Sequence, residues 1–84
     1  MKQADYNGWK NRATWNVALW TQNDEGLYRT AVGYMRASKV RRSWDGFVKY
    51  AGLAGERTPD GFSFSGAQLS RRELNAMLYE LVAG

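Results

Sequence analysis

With 84 residues, no cysteine and no histidine, the chain has room for one small domain and lacks the residues that build disulfides, thiolate or imidazole metal sites and the common nucleophile–base pairs. A net charge of +4 and a pI near 9.7 favour anionic partners. The hydrophobic fraction of 44% and aromatic fraction of 14% promise a rich core for so short a chain, because large rings give the most burial per residue ordered.

The opening Met1-Lys2-Gln3-Ala4-Asp5 lacks the apolar run of a signal peptide, and no stretch approaches the length of a membrane span. A cytoplasmic protein without membrane contact is expected. Asn7-Gly8 is a turn signal, and Trp9 follows it as the first anchor. A first helix should open near Asn11 or Thr14 and run to about Asn23. Trp15, Ala18, Leu19 and Gln22 share one face of it, with Asn16, Trp20 and Asn23 as a neighbouring stripe. Aromatic residues on two adjacent faces make it the expected central helix.

Asn23-Asp24-Glu25 supplies a cap and first-turn acids for a second helix to about Ser38, with Leu27, Tyr28, Ala31, Val32 and Met35 on its core face. Ser43 caps a third helix, in which Trp44, Phe47, Val48 and Ala51 recur at i, i+3, i+4, i+7 until Gly52 or Gly55 ends it. Residues 56–66 read as irregular. Thr58-Pro59-Asp60-Gly61 fits a type I turn, and Phe62-Ser63-Phe64 is either a short extended piece or a loop pinned by two rings. Ser70-Arg71-Arg72-Glu73 is a capping box with Leu69 and Leu74 as its hydrophobic staple, and Leu74, Met77, Leu78, Leu81 and Val82 carry the core face of a last helix. The whole of residues 1–84 therefore reads as one all-α domain, a small irregular bundle of about four helices.

Two features invite a functional reading. The first is the density of Trp9, Trp15 and Trp20 with Asn7, Asn11 and Asn16 in the opening quarter. Asn16 and the two helical rings either form a buried network that bridges neighbouring backbone or present an aromatic and amide surface to a partner, where Trp commonly dominates the binding energy. The second is the run from Arg29 to Lys49, where six bases face the single acid Asp45. Arg36, Lys39, Arg41, Arg42 and Lys49 are either a solvated, dipole-complementing helix end or contacts to an anionic partner, with Trp44 nearby to stack on bases. No recognised nucleic-acid module signature accompanies them.

Catalysis has little to draw on. Asp24-Glu25 is explained by capping and Asp60 by a turn, and no phosphate loop or Ser-x-x-Lys pattern occurs, so no catalytic residue, metal or cofactor is expected.

Asn7-Gly8-Trp9, Asn11, Thr14-Trp15-Asn16-Val17, Leu19-Trp20 and Asn23-Asp24-Glu25 resemble the opening motif of a small uncharacterised family found in phages, other mobile elements and some bacteria. Thr58-Pro59-Asp60-Gly61 and Glu73-Leu74-Asn75-x-Met77-Leu78 are similar to its second half. The resemblance implies no established activity. It implies the habit of short phage accessory proteins, anti-CRISPR inhibitors among them, which bind and block a host complex. The expected partner is accordingly a host protein or ribonucleoprotein complex, with nucleic acid as the alternative, met by a monomer or homodimer through Trp9, Asn16, Trp20, Arg36, Lys39, Arg41, Arg42, Trp44 and Lys49.

Overall fold

A computed structural model describes residues 8–38 and 42–83. The fold is all-α, and the described residues form four helices in order: α1 (Arg12–Asn23), α2 (Glu25–Ala37), α3 (Trp44–Ala51) and α4 (Arg71–Leu81). Each begins where a short polar side chain accepts an otherwise orphaned backbone N–H. Asn11 takes that of Thr14, Asp24 that of Leu27, Ser43 that of Gly46 and Ser70 that of Glu73. Asp24 has two tasks, because its own N–H closes α1 on the Trp20 carbonyl while its carboxylate opens α2. Helix α3 ends at Gly52, whose φ of 71° is the left-handed conformation a glycine adopts without strain. No helix among the described residues is long and apolar enough to cross a membrane.

The core is one cluster with Trp44 at its heart. Its ring is fully buried against Phe47 and Phe64, at centroid distances of 5.2 and 6.4 Å, and its indole N–H donates to the Phe64 carbonyl at 2.8 Å. Met35, Phe47, Leu74 and Leu78 fill the rest, with Leu69 and Leu74 both buried as the staple requires. The 57–63 segment settles the open choice between strand and loop as a mixture. Gly61 N–H closes the turn on the Thr58 carbonyl, one antiparallel bridge joins Arg57 to Ser63, and Phe64 pins the exit in the core.

Helix α1 is not central. Helices α2 and α4 each pack against the other three, whereas α1 touches α2 and α4 alone. The reason lies in the side chains it turns inward, which are Ala13, Thr14, Asn16, Val17, Ala18 and Thr21. These bring backbones close but bury little area, and Trp15 and Trp20 lie half-buried at the flanks while Leu19 is exposed. Tyr28, expected in the core face of α2, is likewise exposed, and Tyr34 takes the buried place.

Tyr34 also explains the glycine inside α3. Its hydroxyl accepts the Ser43 N–H and occupies the space where a Cβ on Gly46 would sit. Replacing an ordinary helical glycine by alanine stabilises by about 0.5–1 kcal/mol. Here Gly46→Ala should instead destabilise by about 1–3 kcal/mol through overpacking, and Tyr34→Phe in the same chain should recover part of the loss. Leu78→Ala, a large-to-small change at a fully buried site, should cost about 2–5 kcal/mol. Urea unfolding of the three variants against the parent chain checks both expectations.

Candidate functional site

The motif helix meets the distant turn through one carboxylate. The Thr58-Pro59-Asp60-Gly61 turn, with Gly61 at φ 95°, carries Asp60 up against α1. There its Oδ2 accepts the Asn16 side-chain amide at 2.8 Å and the Trp20 indole N–H at 3.0 Å. The other end of the Asn16 amide accepts the Thr58 hydroxyl at 2.7 Å, and Thr58 Oγ1 in turn accepts the Phe62 N–H at 3.2 Å. Asn16 is 1% exposed and Thr58 3%, so the bond between them is shut off from water, while the Asp60 carboxylate stands at the surface. The amide hydrogen bond from Asn16 and that from Trp20 hold the Asp60 carboxyl below its ordinary range, aided by the Arg12 charge and opposed by partial desolvation. Arg12 itself lies 5.5 Å over the Phe62 ring, clasping the far side of the turn.

A second set of bonds joins the start of α1 to the start of α4. Asn11 Oδ1 accepts both the N–H and the hydroxyl of Thr14, and Asn11 Nδ2 donates to the Gln68 carbonyl at 2.8 Å. Thr14 Oγ1 accepts the Ser70 N–H at 2.9 Å, and Glu73 Oε1 accepts the Lys10 N–H at 2.8 Å. The capping box is thus half reciprocal. Ser70 caps Glu73 as expected, but the Glu73 carboxylate serves the backbone before α1 instead of the Ser70 N–H, which Thr14 takes. Asn75 works the same way on α3, accepting the Trp44 N–H at 2.7 Å.

The nine residues read as partner contacts fall into separate places. Asn16 belongs to the buried network, with both ends of its amide paired, and does not reach the surface. Trp44 is the core ring, fully buried, and cannot stack on a base. Trp20 is half-buried with its indole N–H committed to Asp60. Trp9 lines an open groove of ≈ 460 Å³ with Gln22, Glu73, Met77 and Glu80. Lys49 is exposed in the last turn of α3, and Lys39 and Arg41 lie outside the described residues. Asn16 and Trp20 meet on the Asp60 carboxylate, and among the described bases Arg36 and Arg42 are brought together.

These two arginines rim a groove of ≈ 440 Å³ floored by Met35 and Val82, with Ser38 at its edge. Arg42 Nη1 donates to the Met35 carbonyl at 2.9 Å, and the guanidinium lies 5.0 Å over the Tyr79 ring. Neither arginine pairs with a carboxylate among the described residues. Sequence reasoning passed over Tyr79 here, although it stands three residues before Val82 and so on the same side of α4. It passed over Asp60 and Thr58 as partners of Asn16 too, seeing in them only a turn. No group of three His, Cys, Asp or Glu residues among the described residues could hold a metal ion.

The network makes two testable statements. Asn16→Ala leaves the Thr58 hydroxyl and one lone pair of Asp60 without their partner, and should cost about 1–3 kcal/mol in a denaturant melt. Because the Asp60 pKa is lowered on folding, its contribution is present above the unfolded-chain value of about 4 and is lost as pH falls through the folded value. Asp60→Asn should therefore melt below the parent at pH 7, and the gap should close on acidification below about pH 4. A gap that persists unchanged at pH 2 would count against the carboxylate as the source.

No curated protein and no solved structure matches the chain. The family model for DUF7249, a family of unknown function, does match, and it covers residues 2–83. With the match running through both the α1 network and the α4 caps, the chain belongs to the family of unknown function DUF7249.

Proposed function

We propose that this protein is a non-enzymatic binding protein of phage or mobile-element type, which docks on a host macromolecular complex in the host cytoplasm and inhibits or modulates it, as an anti-defence or anti-CRISPR inhibitor does. The observation that carries the reading is how the polar side chains divide. Asn11, Thr14, Asn16 and Trp20 of the opening motif are committed to internal hydrogen bonds, while Arg36 and Arg42 stand unpaired by any described carboxylate at the rim of a groove. A surface of this kind recruits an anionic partner, and the motif behind it acts as scaffold.

Two observations argue against other readings. The Asp60 carboxylate is held ionised by its two donors, away from the near-neutral range that a general base needs. Trp44, the ring that would have stacked on a base beside the basic run, is fully buried, which removes that support for nucleic acid.

Affinity capture from a host lysate, with the retained proteins identified by mass spectrometry, tests the reading. The parent chain should retain one defined complex, and Arg36→Glu, at an exposed site, should lower its recovery by about tenfold. Binding to random duplex or single-stranded DNA should be weak near physiological salt. Sub-micromolar DNA binding that falls with salt at a log–log slope of about −2 to −4, as two to four phosphate contacts require, would make nucleic acid the primary partner.

A further inference from the structure

We infer that the groove between the ends of α2 and α4 is a seat for a carboxylate side chain, presented by an acidic and partly apolar peptide segment of the partner; this rests on the docking reading above and names the chemistry of its contact. Arg42 is the centre of the argument. Its Nη1 bond to the Met35 carbonyl fixes one edge of the guanidinium, and the Tyr79 ring 5.0 Å away fixes the plane. The remaining N–H donors have no partner among the described residues. A guanidinium held this way offers its fork with little rotamer freedom left to lose, and a carboxylate matches that fork with two parallel hydrogen bonds. Arg36, exposed on the same rim, adds a second positive charge.

The choice of carboxylate over phosphate comes from the helix ends. Ser38 and Val82, both lining the groove, are the C-caps of α2 and α4. Two sets of C-terminal carbonyls therefore converge here, each end carrying partial negative charge. That field is tolerable for a singly charged carboxylate between two arginines and less so for a doubly charged phosphate monoester, while the singly charged phosphodiester of a nucleic acid is set apart by the apolar wall alone. The groove wall points the same way, because half-buried Val82 and the exposed Tyr79 ring give apolar surface beside the arginines that a neighbouring aliphatic side chain of the partner can cover, above the fully buried Met35. A volume of ≈ 440 Å³ holds one acidic and one aliphatic side chain, within the range of about 300–1,000 Å³ usual for ligand pockets.

The test is an NMR titration of the isotopically labelled full chain with three probes: an acetylated, amidated peptide of alternating Glu and Leu, the same peptide with Gln for Glu, and an oligothymidylate of equal net charge. The acidic peptide should shift the Met35 and Val82 methyls and the Arg42 Nε–H, and the Gln peptide should leave them in place. Arg36→Gln should weaken the acidic peptide about threefold to tenfold, and Arg42→Lys, which keeps the charge but loses the fork, should weaken it further. Amide spectra of both variants report whether they fold, and Arg36→Gln carries the test if Arg42→Lys does not. Absence of shifts at these three residues with the acidic peptide, or equal or tighter binding of the oligothymidylate at the same resonances, overturns the inference. If the peptide fails while Arg36→Glu still abolishes capture of the complex, the seat is wrong and the docking reading stands. If the peptide occupies the groove and no complex is captured, the seat stands and the docking reading falls.

Discussion

The structure depends on two helices that cap one another. Lys10, Asn11 and Thr14 at the start of α1 and Gln68, Ser70 and Glu73 at the start of α4 exchange backbone and side-chain hydrogen bonds across the bundle. Each bond is worth only on the order of 1 kcal/mol net, yet each satisfies a donor or acceptor that would otherwise be lost at a helix end. Asn11 and Ser70 cap their own helices, and the cross-bonds tie the two starts together. The arrangement fixes the position of α1, whose small inward side chains could not do so by burial.

The Asp60 network completes what the caps begin. It holds the middle of α1 against the 57–63 turn, just as the caps hold its first turn against α4, so the helix is tied at two heights by polar bonds over a thin apolar layer. The apolar weight of the molecule sits elsewhere, on Trp44, Phe47, Met35, Leu74 and Leu78. The place where α2 and α4 finish is held differently. Arg42 is held there by a carbonyl and a ring instead, which leaves donors over.

Much of this was readable in the residues, and the pattern of what was not is informative. Caps and core faces depend on neighbours three and four positions away, so Asn11, Asp24, Ser43 and Ser70 announce their helices, and the spacing of Trp44, Phe47 and Val48 marks a core face. A side-chain amide or hydroxyl carries no such address. Nothing near Asn16 says that its partners lie more than forty residues on, and nothing in the capping box says that Glu73 will serve Lys10 instead of Ser70. The tryptophan density was misleading for a related reason. A half-buried indole held by its N–H and a fully buried one look alike in sequence, and only the packing separates Trp20 from Trp44.

The span of the polar ties bears on how the molecule comes off the ribosome. The bonds that complete α1 reach across 40 to 63 positions, to residues synthesised well after it. A nascent α1 therefore emerges with its own caps, Asn11 and Asp24, but without these distant ties and with Trp15 and Trp20 uncovered, and an isolated helix of twelve residues is marginal in water. Local pieces such as the α2–α3 pair can collapse early, since their contacts are close in sequence, but α1 docks only once the turn at 58–61 and the start of α4 have cleared the exit. Translation thus delivers α1 ahead of the turn and the helix start that hold it in place.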